Sequence, residues 1–151
     1  LIKKNKLHIN KRFQKYFLNK YHYPEPCMIG SKINNIASSA IDISDGFYGD
    51  LSKLLCKNNL GADIEFSKFP FSKQTNSLLK NKLINSFSLL NGGDDYELIF
   101  TSSNKHDVKI ANLVKKYKFK LSKIGRIINK EGIYLDKKKL LNSKKSFQYF
   151  F

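Results

Sequence analysis

The sequence predicts an α/β fold, a single domain over residues 1–151 in which helices pack on a mixed sheet. Two observations carry this. Segments with apolar residues three and four apart alternate along most of the chain with short runs of alternating or β-branched residues, with no internal repeat or linker between them. The chain can also build a core, because 151 residues at 41% hydrophobic content is ordinary for a globular domain.

The elements follow in order. Residues 5–22 place Leu7, Phe13, Phe17, Leu18 and Tyr21 at helical spacing, and Pro24 and Pro26 stop that helix. Residues 1–24 thus form a basic helical entry segment, and 25–151 form the core. A short helix is expected near 30–36 and a buried strand near 38–43. Phe47, Leu51, Leu54, Leu55 and Leu60 then mark a helix, with Gly61 at the position of a C-terminal cap. "ADIEF" alternates as a strand, "KFPFS" turns the chain, and a helix is expected over 74–89. "YELIFTS" is the next strand. Residues 104–118 carry Val108, Ile110, Ala111, Val114 and Tyr117 at helical spacing, and strands follow in "KLSKIGRII" and "GIYLD".

Composition excludes several classes. No apolar run approaches the roughly 20 residues a membrane helix needs, and no signal-peptide pattern opens the chain, so a cytoplasmic protein with no membrane partner is expected. Cys27 and Cys56 lack metal-ligand spacing and read as reduced thiols. The formal net charge of +16 raises nucleic-acid binding as a reading. Yet Arg12 and Arg126 are the only arginines, and bidentate recognition of phosphates and bases usually rests on arginine. No nucleic-acid partner is expected; the lysines read as AT-rich codon usage spread over solvated faces. The segment from Leu1 to Pro24, rich in Lys and free of acid, is either a solvated amphipathic helix or a polyanion-binding arm.

The acids are distributed differently. Of 12, Asp42, Asp45 and Asp50 fall in one segment and Asp94, Asp95 and Glu97 in another. In "AIDISDGFYGD" a strand runs into Asp42, Ser44 and Asp45 before Gly46 opens a helix. Alternation puts Asp42 and Ser44 on one face. One or two carboxylates with a hydroxyl make a partial site for a hard cation such as Mg2+, which prefers oxygen ligands and keeps several waters. The competing reading is that Ser44 or Asp45 caps the helix, which leaves Asp42 unexplained. In "NGGDDYELIF", Gly92 and Gly93 permit backbone conformations or a close approach that a Cβ would block. Adjacent Asp94 and Asp95 point to opposite sides of a strand, so the segment is either an acidic turn or part of a site.

In order and wording, "YHYPEP", "ASSAIDISDGFYGDL", "GADIEFSKFPFS", "NGGDDYELIF", "IGRI" and "SFQYF" resemble the C-terminal half of bacterial thiamine-monophosphate kinases. That family shares a superfamily with aminoimidazole ribonucleotide synthetase and selenophosphate synthetase. The resemblance covers the chain from about Tyr21 to its end. It implies a three-layer α/β/α C-terminal domain with partial likeness to a ferredoxin-like topology. It also implies transfer of the γ-phosphoryl group of ATP to thiamine monophosphate, giving thiamine diphosphate. Several Mg2+ ions would neutralise the two anionic reactants and hold them in line.

Carried over by position, the resemblance implies that Asp42 and Asp45 bind Mg2+ and that Ser44 contacts ATP. It places Asp94 and Phe147 at the thiamine phosphate, with Phe147 against the ring system by stacking and cation–π attraction. Three departures accompany it: Cys27 replaces the basic residue that typically follows Pro-x-Pro, and Ser146 and Gln148–Tyr149 replace Gly and Asp-His around Phe147. The family's N-terminal domain, which carries further aspartates, much of the ATP site and the homodimer interface, has no counterpart in these 151 residues. The chain is therefore expected to be a fragment without kinase turnover of its own. Two other readings are another ATP-using enzyme of the same superfamily and a nucleic-acid-binding module with a steep salt dependence.

Overall fold

A computed structural model describes residues 9–25, 28–56, 59–93 and 97–140. Helix α1 (Lys11–His22) starts where the Asn10 side chain accepts a hydrogen bond from the Phe13 N–H, and it ends at Tyr23 before Pro24. The expected helix at 30–36 is a 3-10 turn, Gly30–Lys32. Strand β1 (Ala37–Asp42) follows, then α2 (Phe47–Cys56) and β2 (Gly61–Ile64).

The helix expected over 74–89 is two helices, α3 (Lys73–Lys80) and α4 (Ser86–Leu90). Lys82 adopts a left-handed conformation (φ 55°) between them, and the Asn85 side chain caps the second by accepting from the Ser88 N–H. A local capping residue thus broke a continuous apolar pattern. Strand β3 (Leu98–Ser102) precedes a 3-10 turn at Asn104–His106 and α5 (Asp107–Tyr117), which closes on left-handed Lys118. The chain continues through β4 (Gly125–Ile128), β5 (Gly132–Leu135) and a short β6 (Lys138–Lys139).

Among the described residues the strands form two sheets. β1 and β3 are an antiparallel pair, and the other four run in the order β4-β2-β5-β6. The second sheet is mixed, as expected, because β2 pairs parallel with β5 and antiparallel with β4. Gly61 does not cap α2. A Cβ there would lie 2.0 Å from the Lys130 carbonyl oxygen and 2.3 Å from that of Gly132, so the glycine admits a close passage of the β5 approach. Left-handed Asn59 (φ 52°) lies between α2 and the strand instead.

Helix α2 ties the arrangement together. Its Phe47, Leu51 and Leu55 are buried against Ala62, Ile64, Leu90 and Ile133. Each such side chain contributes about 1.5–3 kcal/mol by burial. A second cluster joins Ile29, Ile33 and Ile36 to Leu98 and Phe100 of β3 and to Ile110 and Leu113 of α5. The second cluster takes in Ala37 at the start of β1 and the first takes in Ile43 just past its end, where the first acidic segment lies. β1 is half-exposed rather than buried: Ala37, Ser39 and Ile41 are partly covered, while Ser38, Ala40 and Asp42 are exposed.

Candidate functional site: the acidic turn between β1 and α2

The β1–β3 register pairs Asp42 with Leu98, and the Ile43 N–H extends the pairing by donating to the Glu97 carbonyl at 2.8 Å. The two acidic segments, far apart in sequence, therefore arrive at the same edge. Their backbones touch. A Cβ on Gly93 would sit 2.6 Å from the Ser44 carbonyl oxygen, and one on Gly46 would sit 3.0 Å from the Gly92 carbonyl oxygen. Gly46 also holds φ at +108°, a conformation side-chain-bearing residues rarely adopt. The close approach expected at the glycine pair is made, at Gly93, by the chain's own backbone.

Asp50 organises the turn. It is 1% exposed, and its Oδ2 accepts the N–H groups of both Ser44 and Asp45 at 2.9 Å. Its Oδ1 accepts from the Lys53 ammonium at 2.8 Å. The same ammonium forms an ion pair with Asp45 Oδ2. So the helix supplies an acceptor to the turn before it, where capping by Ser44 or Asp45 would have run the other way. Burial penalises the charged form of Asp50, but the Lys53 and backbone hydrogen bonds together outweigh it and hold the carboxyl below its ordinary range. Hydrogen bonds to Asp45 and then Asp50 push Lys53 up to about 12.

Asp42 and Asp45 differ in setting. Asp42 is exposed at the strand end, whereas Asp45 is partly covered with its carboxylate against Lys53. Asp42, Ser44 and Asp45 offer oxygen donors only, which suits a hard divalent cation. Asp50 does not fit as a ligand, because both of its oxygens are engaged. Among the described residues no three His, Cys, Asp or Glu side chains converge to hold a metal, so this turn alone is at most a partial set. Asp94 and Phe147 lie outside the described residues.

Sequence reasoning counted Asp50 among the acids but gave it no role, and it passed over Lys53. A signal was there: Asp50 falls between Phe47 and Leu51 on the apolar face of α2, where a carboxylate requires a partner, and Lys53 follows at i+3.

Fold and turn together define an α/β domain with an acidic strand-to-helix turn at a sheet edge. The chain belongs to the family of the AIR synthase related protein, C-terminal domain, whose pattern matches residues 12–138. It is 36% identical over 155 residues to the thiamine-monophosphate kinase of Buchnera aphidicola subsp. Schizaphis graminum, covering 99% of this chain and 47% of that protein. Its fold is similar to the crystal structure of thiamine-monophosphate kinase from Stenotrophomonas maltophilia K279a. That match has a TM-score of 0.79 at 25% identity, over 93% of this chain and 46% of that one. AaThiL complexed with AMPPCP and TMP shares the fold with a TM-score of 0.71 at 24% identity, over 88% of this chain and 41% of that one. The chain thus spans about half the length of the curated relatives it matches. Among the described residues no helix is long and apolar enough to cross a membrane.

Proposed function

We propose that this chain is the C-terminal half of a thiamine-monophosphate kinase that uses ATP and Mg2+ to make thiamine diphosphate. The observation that carries the reading is the joining of the two acidic segments at one edge, with Gly93 packed on the Ser44 carbonyl. The similarity over 99% of the chain to a thiamine-monophosphate kinase supports it. So does the fold shared with AaThiL complexed with AMPPCP and TMP.

In this reading Asp42 and Asp45 hold Mg2+, Ser44 contacts ATP, and Asp94 and Phe147 contact thiamine monophosphate. Bound Mg2+ neutralises phosphate charge and aligns donor and acceptor, since phosphoryl transfer is mostly positioning and electrostatic stabilisation. The chain's own part is to keep the carboxylates where they are useful. Asp50 fixes the backbone of Ser44 and Asp45 through two hydrogen bonds, so that neither side chain drifts with the loop. Gly93 lets the second acidic segment reach that turn. The enzyme is read as a cytoplasmic homodimer whose N-terminal domain completes the ATP site.

The test is phosphoryl transfer by the full-length gene product that contains this chain, with ATP against a panel of phosphate-bearing acceptors. Thiamine diphosphate is the expected product from thiamine monophosphate. A folded, ATP-binding protein that phosphorylates a different acceptor would leave the family and sink the substrate.

A further inference from the structure

We infer that Lys53 is a positioning residue that holds the Asp45 carboxylate and competes with a divalent cation for it. The inference rests on the reading of Asp45 as a metal ligand. Its basis is geometric. The Lys53 ammonium bridges two carboxylates, one buried and fixed, the other partly open: Asp50 is 1% exposed and Asp45 is 26% exposed. The Asp50 contact is permanent in character, because a buried carboxylate without its counter-charge is strongly disfavoured. The Asp45 contact is exchangeable, because the lysine side chain is itself 52% exposed and its ammonium has three donors to redistribute.

This arrangement has a consequence for charge. Lys53 contributes one positive charge to two negative ones, and a cation that binds Asp45 meets an ammonium still tied to Asp50. The like-charge cost lowers the affinity of the turn for any cation arriving alone. A cation accompanied by phosphate brings negative charge that offsets the same ammonium. Lys53 thereby favours a metal–phosphate complex over the free metal at Asp45, a discrimination the two carboxylates lack by themselves.

The experiment titrates Mn2+ into the full-length protein that contains this chain and follows paramagnetic broadening of the amide signals of residues 42–45 by NMR. Lys53→Gln keeps a donor for Asp50 while removing the charge, and should saturate at Mn2+ concentrations lower by about tenfold. Lys53→Arg keeps the charge and should match the parent. In the parent chain, Mg2+ should also move the Lys53 ε-methylene resonance in step with those amides, a readout that involves no substitution. An unchanged midpoint in Lys53→Gln, or a stationary Lys53 signal while the amides respond, overturns the inference and leaves Asp45 as a ligand. Broadening at 42–45 that is absent, or indifferent to Asp45→Asn, overturns the metal reading and this inference together.

Discussion

Gly93 packs directly on Ser44: a Cβ on the glycine would lie 2.6 Å from the serine carbonyl oxygen, closer than real Cβ contacts come. Backbone on one side and a turn pinned by Asp50 on the other leave little room to yield. Gly93→Ala is therefore expected to cost about 1–3 kcal/mol of stability. Urea unfolding of parent and variant checks it, and a cost near zero would mean that the two acidic segments do not touch.

The Asp50–Lys53 pair sets a stability window in pH. Asp50 has its carboxyl held below the 3.8 of an unperturbed Asp, so its contribution is fully present above that value and fades as pH falls through its lower folded value. Lys53 is raised from 10.5 to about 12, so its contribution is present below 10.5 and fades as pH climbs through about 12. Melting temperature measured across pH should show both flanks. Asp50→Asn should lower the plateau, because the amide's single oxygen cannot accept from both N–H groups and from Lys53 and carries no charge to pair with it, and it should flatten the acid flank.

Gly61 and Asn59 separate two accounts of the α2–β2 junction. If Gly61 serves the strand, Gly61→Ala drives a Cβ to 2.0 Å from a backbone oxygen and costs roughly 3 kcal/mol or more. Asn59→Ala, at a φ of 52°, costs about 1–2 kcal/mol from the left-handed backbone alone. Chemical denaturation ranks the pair. The reverse order would mean that the backbone carbonyls do not approach Gly61 this closely.

Local signals were legible where one residue type has one use. The apolar spacing of Phe13, Phe17 and Tyr21, Pro24 after it, and the apolar spacing of Phe47, Leu51 and Leu55 each led to the element observed. Gly61 was misread because glycine serves both a left-handed cap and a close backbone passage, and only the Lys130 and Gly132 carbonyls distinguish them. The 74–89 helix was overextended because apolar periodicity runs through Lys82 while the backbone does not. The acidic turn was legible as residues but not as a network. That Asp45 meets Lys53, and that Asp50 holds the Ser44 and Asp45 N–H groups, depends on the turn geometry after β1, which periodicity does not encode.

Asp45 is the residue on which ligand and structural roles diverge most cleanly. As a metal ligand in the proposed kinase, Asp45→Asn should lower the full-length enzyme's kcat at fixed Mg2+ by at least about 100-fold, beyond the 10–100-fold typical of outer-shell partners. It should also raise the Mg2+ concentration needed for half-maximal rate, because an amide oxygen binds a hard cation more weakly than a carboxylate. As a mere partner of Lys53, the same substitution would lower thermal stability and leave the Mg2+ dependence where it was. Asp42→Asn provides the internal comparison, since Asp42 is exposed at the end of β1 while Asp45 is anchored to α2. Both variants should shift the Mg2+ requirement, but Asp45→Asn alone should also lower the melting temperature. Activity and melting curves on the same preparations decide it: a Mg2+ dependence unchanged in both variants would remove the metal from this turn and leave Asp45 only its ion pair.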